Sequence, residues 1–336
     1  MKLGINGFGR IGRCFLRSAL ERGKNFDVVA INDLAPASTL AHLLKYDSNF
    51  GELEEEVEAT ENSIIVGDME IEFISEKNPA ELPWDDLGVD LALEATGLFR
   101  KRKDAAKHLD AGAGKVLITA PGKGEGSDKT FIPGVNDDQY DPEEHVIMDL
   151  GSCTTNCAVP TAKVLDDSFG IEKALLTTIH SYTNDQRLLD AVHGKLTRAR
   201  SAPNSIIPTT TGAAIATTKV LPQLKGKMHG IALRVPVPDA AVVDLVAVLG
   251  EEVTEDDVNS AYKKAAEGEL NGILDYTEEP LVSVDYIGNP HSATVDGSFT
   301  TVRAGNLVKV LSWYDNEWGY SSRLVDMSNK IGEQMG

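Results

Sequence analysis

Cysteine, positive charge and long apolar runs are all scarce in this sequence of 336 residues. Its three cysteines are too few for a disulfide framework and suit a reducing compartment, so we expect the chain to be cytoplasmic. No apolar stretch approaches the roughly 18 residues of a membrane span, and we expect no signal peptide before the first predicted strand. The 52 acidic side chains against 32 basic ones give a net charge of −20, which disfavours nucleic acid or an anionic membrane as a partner.

The order of apolar runs predicts a protein of two different halves, with room for a core in each. In the first half, short apolar runs alternate with amphipathic stretches, which predicts a Rossmann-type α/β domain with a doubly wound parallel sheet. Beyond residue 151, longer strand-like runs with fewer helices predict an α+β domain with a mostly antiparallel sheet. The expected strands are 3–6, 28–31, 91–94, 116–118, 146–148, 174–183, 231–249 and 307–314, and the expected helices include 10–22, 101–110 and 211–220.

A glycine pattern near the N-terminus indicates a dinucleotide site. Gly7, Gly9 and Gly12 match G-x-G-x-x-G between the first expected strand and the first expected helix, and Asp33 follows Gly12 by 21 residues. Such glycines let a pyrophosphate approach the helix N-terminus, and an acid at that distance can hold ribose hydroxyls. The alternative is a glycine-rich turn with a helix-capping Asp.

Cys153 is the candidate nucleophile, because it begins a predicted helix directly after a strand and a Gly–Ser turn. Backbone amides and the helix dipole favour a thiolate there and could bind an oxyanion, so we expect a depressed pKa for this thiol. His180, 27 residues later at the end of an expected strand, is a candidate ion-pair partner and acid/base. A structural cysteine and a structural histidine are the alternatives. We expect no metal, because Cys153, Cys157 and His180 lack a second ligand pair.

Four segments, residues 4–13 (GINGFGRIGR), 152–157 (SCTTNC), 180–187 (HSYTNDQR) and 313–320 (WYDNEWGY), together resemble phosphorylating glyceraldehyde-3-phosphate dehydrogenase of the bacterial and eukaryotic type. The resemblance runs from end to end. It implies an NAD-binding Rossmann domain at 1–151, a catalytic domain at 152–317, a C-terminal helix at 318–336 that returns to the first domain, and a homotetramer. It implies oxidation of glyceraldehyde 3-phosphate with inorganic phosphate to 1,3-bisphosphoglycerate and reduction of NAD, in glycolysis or gluconeogenesis.

The resemblance also assigns roles to matching positions. Cys153 would attack the aldehyde to form a thiohemiacetal, His180 would accept a proton, and phosphate would cleave the resulting thioester. The implied cofactor-binding residues are Asn6, Gly7, Gly9, Arg10, Ile11, Gly12, Asp33, Thr96, Gly97, Thr119, Asn316 and Tyr320. The implied phosphate-binding residues are Thr183 and Arg234 for the substrate, and Ser152, Thr154, Arg198, Thr211 and Gly212 for the attacking phosphate.

Some positions depart from the family's usual pattern. Residues 149–151 read Asp-Leu-Gly where Ser-Asn-Ala is usual, and Ile215 and Thr197 replace a usual lysine and arginine. These departures leave open an erythrose-4-phosphate dehydrogenase, a reductase of acyl phosphates, or a non-enzymatic dinucleotide-binding protein on the same fold. Ala191 resembles enzymes that use both cofactors, whereas the Asp33 carboxylate would repel the 2′-phosphate of NADP. We therefore expect NAD to be preferred and NADP to be used more poorly.

Overall fold

The computed structural model of the protein describes residues 1–124 and 126–335, whose contacts form two compact units. The first unit comprises Met1–Gly151 with Ser321–Gly336, and the second comprises Ser152–Tyr320. Gly336, which the expected helix 318–336 includes, lies outside the described residues. The domain boundaries at 151 and 317 stay a prediction, because dense internal contacts do not show that a segment folds independently.

The first unit is built on a parallel sheet with an antiparallel edge. Its strands are β1 (Lys2–Asn6), β2 (Asp27–Asn32), β3 (Tyr46–Asp47), β4 (Gly51–Glu52), β5 (Val57–Ala59), β6 (Ser63–Val66), β7 (Met69–Ile74), β8 (Leu91–Glu94), β9 (Lys115–Ile118), β10 (Lys129–Thr130) and β11 (Ile147–Asp149). They pair in the order β10-β11-β9-β8-β1-β2-β7-β6-β5, with β3 and β4 forming a separate ladder. Pairing is parallel from β10 to β7 and antiparallel from β7 to β5. The central strands β1, β8 and β9 are buried apolar runs, as a sheet covered on both faces requires.

The helices of this unit are α1 (Arg10–Arg22), α2 (Ala37–Lys45), α3 (Trp84–Leu87), α4 (Arg102–Ala105) and α5 (Lys107–Asp110). Helix α1 has the expected bounds. It buries one apolar face through Cys14, Phe15, Leu16 and Ala19, and the Phe15 ring stacks on Phe26 at 5.7 Å between centroids. Burial of that face, rather than helix propensity, holds most of the stability of such a helix.

The second unit carries a seven-stranded, mostly antiparallel sheet. Its elements are α6 (Cys153–Phe169), β12 (Ile171–Ser181), β13 (Ile207–Thr210), α7 (Ala213–Val220), β14 (Met228–Val235), β15 (Ala241–Leu249), α8 (Glu255–Glu267), β16 (Leu274–Thr277), β17 (Ala293–Arg303), β18 (Leu307–Tyr314) and α9 (Trp318–Met335), the last continuing into the first unit. The strands pair in the order β13-β14-β12-β15-β18-β17-β16, and only β12–β14 and β16–β17 are parallel among the described pairs. The two sheets confirm the expected fold class.

The C-terminal part of α9 packs against α1 within the first unit. Ser322 and Ser18 hydroxyls lie 3.3 Å apart, and Arg22 donates to Asp326 at 3.2 Å. Asn329 accepts from the backbone N–H of Asn25 at 3.0 Å. These contacts anchor the last residues of the chain beside the first helix.

Two expected elements are interrupted. The run 231–249 is not one strand: β14 ends at Val235 and β15 begins at Ala241, because Pro236 and Pro238 lack the N–H that a sheet ladder needs. The expected helix 101–110 is divided into α4 and α5 at Ala106, whose ψ of −20° is closer to 3₁₀ than to α geometry.

Candidate active site and cofactor cleft

A cleft of about 670 Å³ opens in the first unit where α1 follows β1. Gly7 has a φ of +95°, and an added Cβ would lie 2.6 Å from the backbone nitrogen of Thr96, so only glycine fits. A Cβ at Gly12 would lie 2.4 Å from the carbonyl oxygen of Gly7. At Gly9 a Cβ would meet no atom of the described residues within 4 Å, so the open space there can take a ligand. The cleft is lined by Asn6, Gly7, Gly9, Asn32, Asp33, Leu34, Glu76, Lys77, Asn78, Ala95, Thr96, Leu98, Phe99 and Lys107.

The open space lies at the N-terminus of α1, whose N-cap residue is Gly9. Glycine has no side chain with which to cap this helix end, so the first backbone N–H groups of α1 can serve an anion. Asp33 lines the same cleft and is held by two backbone amides, accepting from Phe8 at 2.8 Å and from Ala35 at 3.0 Å. A pyrophosphate at the helix and a ribose at the carboxylate fit this arrangement.

The other expected cofactor residues of this unit divide into three groups. Asn6 and Thr96 line the cleft, Gly97 is exposed with a φ of +73°, and Thr119 is buried, its backbone nitrogen donating to the Glu94 carbonyl oxygen at 3.0 Å. Arg10 forms an ion pair with Asp47, so its charge is directed to that side chain. Ile11 lies in the first turn of α1 and is half-buried.

Cys153 is the first residue of α6, a helix of 17 residues. Ser152 caps the helix: its hydroxyl accepts from the N–H of Thr155 at 3.1 Å, and the Thr155 hydroxyl accepts from the N–H of Ser152 at 3.3 Å. This reciprocal cap fixes the first turn. The backbone amides of Cys153 and Thr154 and the Thr154 hydroxyl are directed at the Cys153 sulfur. The same groups would stabilise a negative charge on sulfur or on an adjacent oxygen.

His180 lies within reach of this thiol, as expected. Its Nε2 atom is 3.4 Å from Cys153 Sγ, and its Nδ1 atom is 2.9 Å from the carbonyl oxygen of Ser181. The carbonyl can only accept, so we assign the ring proton to Nδ1, which leaves the Nε2 lone pair facing the thiol. The pair is geometrically suited to transfer of the thiol proton to Nε2.

The protonation states differ from the sequence prediction. Burial raises the pKa of Cys153, although the Arg234 charge and the Thr154 donors oppose this, so the expected depressed pKa is wrong for this structure. Burial and the same Arg234 charge lower the pKa of His180 to about 3. At neutral pH the pair is therefore a thiol beside a neutral imidazole, not the expected ion pair, and the imidazole can act as a base.

Arg234, in β14, is the cation nearest the pair among those whose contacts are described. Its Nη1 atom lies 2.5 Å from His180 Nδ1 and donates to the Ser181 carbonyl oxygen at 2.9 Å. Strand pairing explains the position, because Arg234 is directly opposite His180 in the parallel β12–β14 ladder. The expected substrate-phosphate residue Thr183 follows the same end of β12, with its N–H donating to Gln186 at 3.2 Å.

A second group of expected phosphate residues collects around Arg198. This side chain forms an ion pair with Asp185, and its Nε donates to the Thr209 hydroxyl at 3.0 Å. Thr211 precedes α7 and accepts from Ala213 at 3.1 Å, while Gly212 is the exposed N-cap residue of that helix. The Arg198 charge also lowers the pKa of His180, which places both arginines within electrostatic reach of the imidazole. Thr154 fits less well, because it is buried and its hydroxyl lies 2.9 Å from the Tyr314 hydroxyl.

Asn316 is tied to the histidine through Ser181. The Ser181 hydroxyl donates to Asn316 Oδ1 at 2.8 Å and lies 3.4 Å from His180 Nδ1. The contact uses the carbonyl end of the Asn316 amide and so turns its nitrogen away from Ser181. Tyr320, the other residue expected to serve the cofactor in this region, is buried in the first turn of α9.

Sequence reasoning missed several polar groups of both units. Glu94 lies in an apolar strand shortly before Thr96 and Gly97, and an acid inside an apolar run is the signal that could have found it. Asp239 and Asp315 form a buried, hydrogen-bonded carboxyl pair in the second unit. Nothing in the local sequence pairs them, since they are 76 positions apart.

No helix among the described residues is both long and apolar enough to cross a membrane. Within 1–124 and 126–335, no three His, Cys, Asp or Glu side chains gather in a way that could hold a metal ion. The groups that the described residues offer for chemistry are organic side chains, backbone amides and a nucleotide cleft.

A helix N-terminus open to a dinucleotide, and a cysteine–histidine pair at another helix N-terminus, are the features of a nicotinamide-dependent dehydrogenase that works through a thiol. Two family models match: "Glyceraldehyde 3-phosphate dehydrogenase, NAD binding domain" over residues 1–102, and the corresponding "C-terminal domain" over 152–316. The chain belongs to the glyceraldehyde-3-phosphate dehydrogenase family.

Curated relatives agree over the full length. The chain is 56% identical to glyceraldehyde-3-phosphate dehydrogenase 2 of Streptomyces avermitilis, over 100% of this chain and 99% of the relative. It is 57% identical to glyceraldehyde-3-phosphate dehydrogenase of Geobacillus stearothermophilus, over 99% of both chains. The family and these relatives confirm an NAD-dependent oxidoreductase, and they give the erythrose-type and non-enzymatic alternatives no support.

Proposed function

We propose that this chain oxidises glyceraldehyde 3-phosphate in the presence of inorganic phosphate to 1,3-bisphosphoglycerate, with NAD as the hydride acceptor. The observation that carries this proposal is the 3.4 Å separation of Cys153 Sγ from His180 Nε2, with Nδ1 donating to a backbone carbonyl. The relatives named above, over the full length of the chain, support the substrate.

The thiol acts first. Its proton moves to His180 Nε2 as the sulfur attacks the aldehyde carbon, and the carbonyl oxygen becomes the hydroxyl of a thiohemiacetal. Backbone amides at the start of α6 stabilise the negative charge that develops. Bound NAD supplies the acceptor for the hydride that then leaves this carbon, while Nε2 takes the hydroxyl proton. Attack by a phosphate oxygen on the resulting thioester releases the Cys153 thiolate and forms the acyl phosphate.

The two arginines supply the anion sites in this proposal. Arg234 holds the substrate phosphate together with Thr183, and Arg198 holds the attacking phosphate together with Ser152, Thr211 and Gly212. Arginine suits this task because its planar fork of donors matches phosphate oxygens. An anion at Arg234 also screens the charge that lowers the His180 pKa, so binding of the substrate phosphate makes His180 a stronger base.

We also propose a homotetramer. A segment between β12 and β13 exposes large apolar side chains, with Leu189 77% and Val192 93% exposed. The outer face of the second sheet exposes Leu175 at 64% and Ile231 at 46%. Apolar groups so clustered are typical of surfaces that another subunit covers. Glycolysis and gluconeogenesis in the cytoplasm are the setting that we propose for the reaction.

The test is reduction of NAD with glyceraldehyde 3-phosphate, measured with and without inorganic phosphate. Cys153→Ser should abolish turnover, and His180→Asn should slow it by about 10²–10⁴-fold, the usual scale for a general acid–base group. Near-normal turnover in Cys153→Ser, or wild-type rates that ignore phosphate, would refute the proposed reaction. Size measurement of the purified protein in solution tests the tetramer separately.

A further inference from the structure

A buried carboxylate lies directly behind the lining of the cofactor cleft. Glu94 is the last residue of β8 and is 1% exposed. Its Oε1 atom accepts from the Thr96 N–H at 2.9 Å and from the Thr96 hydroxyl. Its Oε2 atom lies 2.6 Å from Asn6 Nδ2, which donates to it, and 3.0 Å from His108 Nε2. Four donors around two oxygens are what an ionised carboxylate accommodates.

The interior side of this carboxylate is held by His108 and Trp84, which are both fully buried. Trp84 Nε1 lies 3.0 Å from His108 Nδ1. An indole nitrogen can only donate, so Nδ1 accepts and the ring proton lies on Nε2, which donates to Glu94. Two rings packed in the core thus fix the position of Glu94 from below.

The cleft side is held by residues that line the cleft themselves. Asn6 donates its amide to Glu94 and accepts from Asn32 Nδ2 at 2.7 Å, so both ends of the Asn6 amide are committed. The Thr96 hydroxyl donates to Glu94 and accepts from the Leu98 N–H at 3.1 Å. Neither side chain can turn without leaving a buried polar group unpaired, at a cost.

Thr96 also limits the glycine turn. Its backbone nitrogen is the atom nearest to a Cβ placed on Gly7, so the turn that precedes α1 packs directly against residue 96. A shift of Thr96 would therefore move the turn that must accept a pyrophosphate.

We propose that Glu94 is a positioning residue for NAD: held by His108 and Trp84, its carboxylate fixes Asn6, Thr96 and the Gly7 turn in the arrangement that accepts the cofactor. This inference rests on the proposed placement of NAD in the cleft. It predicts an effect on cofactor affinity and not on the chemical steps at the thiol.

Glu94→Gln is the direct test, because an amide keeps the shape but replaces one acceptor by a donor facing other donors. The dissociation constant for NAD, measured by calorimetry, and the KM for NAD should both rise by about 10–100-fold, as expected when buried donors lose their acceptor. The kcat at saturating NAD and the rate of Cys153 alkylation by iodoacetamide without NAD should stay near wild type. The matched control is Glu70→Gln, an exposed acid in β7 of the same sheet, which should leave all of these values unchanged.

A second pair of variants decides the matter should Glu94→Gln fail to fold. His108→Gln can still accept from Trp84 and donate to Glu94, whereas His108→Leu can do neither. NAD affinity should be largely retained in the first and reduced in the second. Wild-type affinity in Glu94→Gln, equal affinity in the two His108 variants, or a fall in kcat as large as the fall in affinity would overturn the positioning role. A wild-type enzyme that binds NAD elsewhere, as shown by unchanged affinity in Gly9→Trp, would instead refute the placement of the cofactor.

Discussion

Replacement of Asp239 by asparagine should stabilise the protein and flatten its pH dependence. Asp239 and Asp315 are 2% and 1% exposed, and their side chains are hydrogen-bonded to each other. Burial, then the neighbouring charges of Asp315 and Glu317, raise the pKa of Asp239 to about 9. Asp315 is committed as an acceptor, taking backbone N–H bonds from Gly288 at 2.8 Å and from Trp318 at 2.7 Å. One proton must therefore be kept between the two carboxyls, and Asp239 is the group that carries it.

That proton has a stability consequence of known sign. In the unfolded chain Asp239 loses its proton near its usual pKa of 3.8, whereas in the folded chain it keeps the proton up to about pH 9. Folding therefore binds a proton between these values, and stability falls by up to about 1.4 kcal/mol per pH unit as the pH rises. From pH 6 to 8 the group accounts for a loss of up to about 2.7 kcal/mol, an upper bound because the two carboxyls share the titration.

Urea denaturation at pH 6, 7 and 8, at one protein concentration and salt, measures this slope. In Asp239→Asn the new amide oxygen would accept from the Ala240 N–H, as the Asp239 carboxyl does at 2.8 Å, and the amide nitrogen would donate to Asp315 without a titrating proton. Asp239→Asn should thus gain stability over the wild type as the pH rises, whereas the exposed Asp138→Asn should follow the wild type. A wild-type slope in Asp239→Asn, or lower stability than wild type at pH 8, would refute the shared proton.

Three further predictions concern the proposed active site. Arg198→Leu should raise the KM for phosphate far more than the KM for NAD, and steady-state kinetics that show equal effects would contradict the phosphate site. Alkylation of Cys153 by iodoacetamide should accelerate as the pH rises through the alkaline range, and Arg234→Leu should shift this profile to higher pH, because the arginine charge lowers the thiol pKa. For cofactor choice, NAD should exceed NADP in kcat/KM, and Asp33→Ser should narrow the difference by removing the repelling charge; a wild-type advantage for NADP would show that another position governs.

Much of the fold could be predicted from sequence because its signals are local. Helix α1 begins where a glycine pattern ends and continues as far as its apolar face repeats, so its bounds follow from residues 7–22 alone. The break between β14 and β15 was also readable, since Pro236 and Pro238 cannot donate to a ladder, and treating 231–249 as one strand overlooked them. The antiparallel edge β5–β7 was not readable in the same way, because its acid-rich residues have the composition of a solvated loop.

The site shows a sharper division between what local sequence reveals and what it cannot. The helix start at Cys153 and the strand end at His180 are local features, and the structure brings the two side chains together. Their protonation is not local. The pKa of each group depends on how deeply the fold buries it and on Arg234, which β14 places opposite His180 although the two are 54 positions apart in the chain. A helix dipole alone suggests a thiolate, but burial of the sulfur outweighs it here.

The same arginine explains why a thiol and a neutral imidazole can still serve the proposed reaction. A guanidinium beside His180 disfavours a second positive charge, so the resting pair keeps its proton on sulfur. A substrate that brings its own phosphate to Arg234 neutralises that charge and lets His180 accept the proton at the moment an aldehyde is present. An aldehyde of equal length without a phosphate would lack this effect, so it should lose kcat as well as affinity. Full kcat with such a truncated substrate, measured at saturation, would show that Arg234 contributes binding alone.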